Sequence, residues 1–239
     1  VVVSLNRPAE VVEPAARMQQ QAAALVQALG VRAGYTDVRA LIGPVASAEM
    51  VLSTARAAIA DAGPNGSVVF VYSGYGVGGD FGEPVLLTEG ATVANPLETG
   101  LDVTRLADAL RPGANGQQVF VLIDATHAGN VDGVALIGPS ASEWPHRSVE
   151  GLTVITPKIG SAGSVRIGLV SAFSDALSLR SDTNEDGLLS MTELFRAMSP
   201  ALSDESGPLI DSSGVLTSNR TIAVLSAGGV QSVRKHSAL

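Results

Sequence analysis

The sequence predicts an α/β fold in which a mostly parallel sheet lies between two layers of helices. Residues 67–72 and 118–123 form nearly continuous apolar runs, which are typical of strands that are covered on both faces. Each run follows a helical pattern and a turn that ends in Asn-Gly, so the chain alternates between helix and strand. Of its 239 residues, 46% are hydrophobic and 16% are charged, a balance that supports a buried core and excludes a disordered chain.

The remaining elements follow from apolar spacing and from residues that begin or end helices. Ser47 and Asp102 suit the N-caps of two helices, and Pro14 suits the first turn of an earlier helix. Gly30 is predicted to end the helix that begins near Pro14, and Gly63 to end the helix that begins at Ser47, each as a C-cap. The other predicted elements are strands at 1–5, 38–42, 152–156, 165–171 and 221–225, a short helix at 192–198, and long loops at 131–148 and 203–213.

The composition excludes several classes of function. Because the chain has no cysteine, it has no disulfide, no thiolate metal site and no thiol nucleophile. The net charge is -8, and the local basic run Arg234-Lys235-His236 is too short to form a phosphate-binding surface, so we expect no nucleic-acid partner. No apolar run reaches the roughly 18 residues that a membrane span needs, so we expect no span.

Polar motifs close both buried runs, at the end of the sheet where open α/β folds bind ligands. The first motif reads Ser73-Gly74-Tyr75-Gly76, and the second reads Asp124-Ala125-Thr126-His127-Ala128-Gly129. Together the motifs resemble those of the caspase-like family, which includes caspases, paracaspases, metacaspases and bacterial relatives. The resemblance runs from the first strand to about Met198. It implies a caspase-like three-layer αβα sandwich over residues 1–200, with 201–239 as a C-terminal extension packed on the same domain.

The sequence departs from the family at the two positions that carry catalysis. In the family, a histidine base follows the first strand and a cysteine nucleophile follows the second, whereas this chain has Tyr75 and Thr126 there. A phenol with a reference pKa near 10 is a poor base at neutral pH, and a threonine hydroxyl without a base is a weak nucleophile. The resemblance therefore implies a degenerate member without cysteine-peptidase activity. We expect Tyr75 to be a packed aromatic residue and Thr126 a strand-end residue.

Other residues of this cleft are candidates for binding. In relatives that cleave after Arg or Lys, an aspartate at the position of Asp124 lines the pocket for the basic side chain. The resemblance therefore implies that Asp124, with Ser73 and His127 beside it, binds a Lys or Arg side chain of a protein partner. An aspartate here also suits a turn cap, and both interpretations stay open. A hydrolase of different chemistry would use Thr126, His127 and Asp124, with His146 as another candidate base.

Residues 182–193 match the twelve-position calcium loop of EF-hands. Gly187 occupies position six, where the loop turns sharply, and Leu188 at position seven offers its backbone carbonyl. A single loop with a short incoming helix at 175–180 favours a structural calcium ion over a sensor. The alternative interpretation is an acidic turn that precedes a capped helix. The predicted ligands are Asp182, Asn184, Asp186, Leu188, Ser190 and Glu193.

From these features we predict a catalytically inactive caspase-like domain that serves as a binding or structural module, alone or as a subunit of a larger assembly. One calcium ion is expected to stabilise it. The alternatives are the hydrolase described above and a calcium-dependent scaffold or adhesion domain in which the cleft has no role. Because calcium is abundant outside the cytoplasm, an exported or periplasmic protein is favoured.

Overall fold

A computed structural model describes most of the chain. The described residues are 1–4, 15–78, 84–113, 116–125, 129–131, 134–136, 138–146, 148–157, 168–201, 203–204, 207–208, 210–213 and 221–225. The helices are α1 (Ala15–Gln27), α2 (Ala48–Ala62), α3 (Pro96–Thr99), α4 (Val103–Ala109), α5 (Leu169–Ala176) and α6 (Met191–Met198). The strands are β1 (Val2–Ser4), β2 (Ala40–Ile42), β3 (Ser67–Ser73), β4 (Tyr75–Gly78), β5 (Pro84–Leu87), β6 (Leu101–Asp102), β7 (Gln118–Asp124), β8 (Gly129–Val131), β9 (Val134–Leu136), β10 (Leu152–Pro157), β11 (Leu188–Ser190), β12 (Ser203–Asp204), β13 (Gly207–Pro208), β14 (Ile210–Ser213) and β15 (Thr221–Val224).

The central sheet has six strands within the described residues, in the order β14-β10-β7-β3-β1-β2. Five neighbouring strands of this sheet are parallel, namely β10, β7, β3, β1 and β2. At one edge β14 pairs with β10 in the antiparallel direction. Both predicted apolar runs form central strands of this sheet, as their apolar character on two faces requires.

Helices cover both faces of the sheet, so the fold has three layers. One core lies between the sheet and helices α2 and α4, and its members include Leu52 and Leu106. A second core lies between the opposite face and helices α1, α5 and α6, and its members include Leu25 and Phe173. The Phe173 ring stacks on that of Phe120 with their centroids 5.3 Å apart, which fixes α5 over β7. The α/β prediction with a mostly parallel sheet between helix layers is confirmed.

The predicted helix caps at Ser47, Gly63 and Asp102 are confirmed. The Ser47 side chain accepts a hydrogen bond from the Met50 amide at the start of α2, and Gly63 ends that helix with a φ of 65°. The Asp102 carboxylate accepts from the Thr104 amide at 2.6 Å at the start of α4. These caps satisfy amides or carbonyls that the helix ends leave without partners, which is why local sequence suffices to predict them.

The predicted C-cap at Gly30 is wrong. The helical path continues beyond α1 through a π-helical turn at Ala28–Arg32, which contains Gly30. The left-handed conformation occurs instead at Gly34, whose φ is 66°. The apolar residues Ala28 and Leu29 are buried in the second core, so packing against the sheet extends the helix past the glycine.

The strand predicted at 165–171 is also wrong where the structure describes it. Residues 169–171 form the first turn of α5, while 158–167 lie outside the described residues. Apolar residues every three or four positions, among them Leu169 and Phe173, put one face of α5 into the core. A short apolar run cannot by itself distinguish a strand from such a buried helix.

The two predicted long loops contain paired strands. Strands β8 and β9 form a hairpin that begins just before the first loop and continues into it, and a 3-10 turn follows at Ala141–Glu143. Strands β12, β13 and β14 lie inside the second, and β14 becomes the edge of the central sheet. The β14 sequence Ile-Asp-Ser-Ser lacks apolar alternation, so its pairing with β10 depends on tertiary structure rather than on local pattern.

Among the helices of the described residues, none combines the length and the apolar character that a membrane span requires.

Candidate functional site

The two motif-bearing strands end side by side. Ser73 at the end of β3 pairs in register with Asp124 at the end of β7, and Ser4 of β1 pairs with Ser73 on its other side. Beyond the strand ends, the Gly74 amide donates to the Asp124 carbonyl at 3.0 Å. The structure therefore brings the two motifs together at the carboxyl edge of the sheet, where their sequence positions predict them to meet.

The Ser4, Ser73 and Asp124 side chains face the layer that contains α1 and α5. Val71 and Leu122, each two residues earlier in its strand, belong to the core on that face. Side chains two positions apart in a strand point to the same face, so the buried Ser73 and Asp124 continue the same row. The position of Ser4 in this row was not predicted, because it depends on the order of the strands in the sheet.

Asp124 helps to fix the start of α5. Its side chain is only 5% exposed, and its Oδ2 accepts a hydrogen bond from the Val170 amide in the first helical turn at 3.3 Å. A carboxylate at a helix N-terminus is favoured by the unsatisfied amides and by the helix dipole. This geometry favours the interpretation of Asp124 as a capping residue. Binding of a basic side chain at Asp124 stays a prediction.

Tyr75 occupies the opposite core. It is 1% exposed and belongs to the core that contains α2 and α4. The Tyr72 hydroxyl holds the neighbouring backbone, because it lies 2.7 Å from the Tyr75 carbonyl oxygen and 2.5 Å from that of Leu87, and its single proton is shared between these two acceptors. Burial raises the Tyr72 pKa well above its usual value, so this hydroxyl keeps its proton and its donor role. Tyr75 is therefore a packed core aromatic, as the sequence predicts.

The other cleft candidates lie elsewhere or cannot be placed. Thr126 and His127 lie outside the described residues. His146 is at the surface with a φ of 60°, and its Nε2 lies 2.9 Å from the Asp108 Oδ1. Asp108 belongs to α4, on the face of the sheet opposite Asp124, so His146 is engaged away from the Asp124 carboxylate.

The acidic loop coils around its first residue. Both oxygens of Asp182 accept backbone hydrogen bonds: Oδ1 from Asp186 at 3.2 Å and Oδ2 from Gly187 at 2.8 Å. Glu185 and Gly187 have positive φ values of 60° and 79°, which produce the sharp turn that the motif predicts at its centre. The Asn184 side-chain amide donates to the Asp186 carboxylate at 3.1 Å, so two of the side chains that are predicted as ligands are in contact.

Glu193 closes the loop from the first turn of α6. Its carboxylate accepts from the backbone amide and hydroxyl of Ser190 and from the same two groups of Thr183. Ser190 and Glu193 together form a capping box. Burial alone would raise the Glu193 pKa, but these hydrogen bonds outweigh it and lower the pKa to about 2. The role of Ser190 as N-cap was missed, although Ser-x-x-Glu before an apolar stretch is the signature of a capping box.

Strand β11 carries loop positions seven to nine and pairs with β15, which comes from the end of the described chain. The Leu225 amide donates to the Gly187 carbonyl at 2.8 Å. Successive carbonyls of a strand point to opposite edges, so the Leu188 carbonyl at position seven faces away from β15. The Leu188 amide, on that same side, donates to the Asp186 carboxylate at 2.8 Å. The carbonyl that the motif assigns to calcium is therefore directed toward the acidic side chains.

The donor types of this loop fit a hard cation such as calcium. Every ligand position of the motif carries an oxygen donor, which is a carboxylate, a side-chain amide, a backbone carbonyl or a hydroxyl. In the structure the side-chain oxygens among them accept hydrogen bonds from the loop itself. Across the part of the chain that the structure describes, no three acidic or histidine side chains converge closely enough to hold a metal ion. The residues that would hold calcium are Asp182, Asn184, Asp186, Leu188, Ser190 and Glu193.

No protein-family model matches the chain, and no curated protein matches it at a significant level. Both candidate sites therefore rest on the chain's own residues.

Proposed function

We propose that this chain is a caspase-like module without peptidase activity, which acts as a binding or structural domain and is stabilised by one calcium ion. The observation that carries the proposal is the in-register pair of Ser73 and Asp124, together with the burial of Tyr75 in the opposite core. The pair supports the resemblance between the two motifs and those of the family. The burial of Tyr75 supports the loss of catalysis.

The order of elements also supports the resemblance. A leading strand and helix, a second helix, the Ser-Gly strand, a third main helix and the Asp strand are the elements that the resemblance implies. They correspond here to β1, α1, α2, β3, α4 and β7. The small sheet of β4, β5 and β6 is inserted between the Ser-Gly strand and α4.

Chemistry argues against cysteine-peptidase catalysis by this chain. No cysteine is present anywhere in the sequence, so no thiolate is available as the nucleophile. A general base must reach the proton that it removes and must titrate near the working pH. A phenol buried in the core meets neither condition, because burial disfavours its ionised form.

The loop at 182–193 supports the calcium part of the proposal through its complete donor set and its backbone path. Bound calcium would join residues on both sides of the turn, from Asp182 to Glu193, by coordination. Its positive charge would also offset the repulsion between neighbouring carboxylates. These effects are structural, in keeping with a single loop.

Calorimetric titration of the purified chain with calcium tests this proposal. The expected result is one ion bound per chain, with binding abolished by Asp182→Ala. Glu185→Gln is a matched control, because it removes one negative charge from the same loop at position four, which supplies no ligand. The calcium part is contradicted if wild type shows no binding, or if the control weakens binding as much as Asp182→Ala does.

A further inference from the structure

The strand β15 is held on both of its edges. On one edge it pairs with the loop strand β11, where Leu188 opposes Val224 and Leu189 opposes Ala223. On the other edge, the Tyr35 hydroxyl donates to the Ile222 carbonyl at 2.5 Å, and the Ser67 hydroxyl lies 3.5 Å from the same carbonyl. Strand β15 therefore connects the acidic loop to the amino end of β3, which begins at Ser67.

Gly34 fits closely against the outer edge of β15. A Cβ atom added to Gly34 would lie 2.9 Å from the Val224 carbonyl oxygen, and its φ of 66° already favours glycine. Val224 itself is 58% exposed, whereas its neighbours Ile222 and Ala223 are buried in the core with Leu189. The docking of β15 therefore depends on hydrogen bonds along both edges and on two or three apolar side chains.

We propose that calcium binding in the loop and the docking of β15 are coupled, so that calcium fastens the chain around Thr221–Leu225 to the amino end of the central sheet. This inference rests on the proposed calcium site. Both events fix the same backbone, because Leu188 supplies the carbonyl at loop position seven and also lies in the strand that β15 pairs with. An isolated two-stranded ribbon is marginally stable, so its strands dock more firmly when one of them is already fixed.

The same arrangement accounts for the presence of one loop. EF-hand sensors usually pair two loops, whereas here β15 occupies the pairing edge of β11. Because the two equilibria are linked, the free energy by which calcium stabilises the docking of β15 equals the free energy by which docked β15 strengthens calcium binding. Coupling between two sites is typically about 5- to 150-fold in affinity, and the few contacts of β15 place the expected effect at the lower end of that range.

Hydrogen exchange of the wild-type chain tests the coupling in one direction. Amides of 221–225 and of 188–190 are expected to exchange more slowly with calcium than with chelator. Amides of α4, which packs in the core on the opposite face of the central sheet, serve as the internal reference and should be unchanged. Equal exchange of 221–225 in both conditions, when calorimetry shows that calcium is bound, overturns the coupling and leaves the calcium site in place.

Variants on the outer edge test the reverse direction. Gly34→Ala is expected to weaken calcium binding about fivefold. Tyr35→Phe, which removes the hydroxyl that donates to Ile222 and bonds to Ser67, should weaken it less. Gly90→Ala is the matched control, because Gly90 has a φ of 82° but no atom within 4 Å of an added Cβ. Wild-type affinity in both outer-edge variants overturns the coupling. Absence of calcium binding by wild type overturns both the coupling and the proposed site.

Discussion

The Tyr75 ring and the Asp124 carboxylate lie on opposite sides of the central sheet, although each belongs to a motif that closes one of two paired strands. Tyr75 packs in the core below α2 and α4, and Asp124 faces α5. Tyr75 is therefore a structural residue of the core. Asp124, on the other side, contributes to the start of a helix. These two placements lead to separate predictions.

Replacing Tyr75 with alanine should destabilise the fold. Removing a fully buried aromatic ring leaves a cavity, which costs about 3–5 kcal/mol of unfolding free energy. Tyr75→Phe keeps the ring and should cost less than about 1.5 kcal/mol. Chemical denaturation measures both variants. Wild-type stability of Tyr75→Ala would show that the ring is not in the core.

Replacing Asp124 with alanine should also lower stability. The change leaves the buried Val170 amide without its acceptor, which costs about 1–3 kcal/mol. Asp108→Ala is the control, because it removes an exposed partner of His146 and should cost less than about 1 kcal/mol. Urea denaturation compares the two. Equal, small losses would remove the structural role of Asp124 and favour the interpretation that its carboxylate serves a partner.

Calcium should raise the melting temperature. At a free calcium concentration about 100 times the dissociation constant, binding stabilises the folded state by about 2.7 kcal/mol, which corresponds to about 5–10 °C for a chain of this size. Thermal scans with calcium and with chelator measure the shift. Glu185→Gln should keep it and Glu193→Gln should lose most of it. The same shift in all three proteins would place the ion outside this loop.

The docking of β15 should weaken at high pH through Tyr35. Burial raises the pKa of Tyr35 to about 12, although its hydrogen bond with Ser67 acts in the opposite direction. Because the folded pKa exceeds the unfolded value near 10, the contribution of Tyr35 is complete below pH 10 and is lost as the pH rises from 10 to 12. Unfolding measurements should show the advantage of wild type over Tyr35→Phe shrinking across that range. A constant difference up to pH 12 would mean that the phenol is not buried.

Local sequence was sufficient for features that depend on near neighbours. The caps at Ser47 and Asp102 and the turn at Gly187 are set by hydrogen bonds or backbone angles within a few residues. The two buried strands were evident because they are apolar on both faces. The meeting of Ser73 with Asp124 followed from placing both at strand ends in a parallel sheet.

Features that depend on distant partners could not be predicted. Strand β14 has a polar sequence and is a strand because β10 offers it an edge. The first turn of helix α5 falls in the run that predicts a strand at 165–171, because a short apolar run does not by itself distinguish a strand from a buried helix. The pairing of β11 with β15 joins segments about thirty residues apart and has no signal in either segment alone.

The most direct test of the central claim is hydrolysis by wild-type protein in saturating calcium. The substrates are peptides in which a reporter group follows Arg or Lys, together with a simple ester. Our account predicts no release of reporter above the buffer rate, because the chain has no thiol and its Tyr75 is buried. Turnover that disappears in Thr126→Ala would contradict the account and establish a hydrolase.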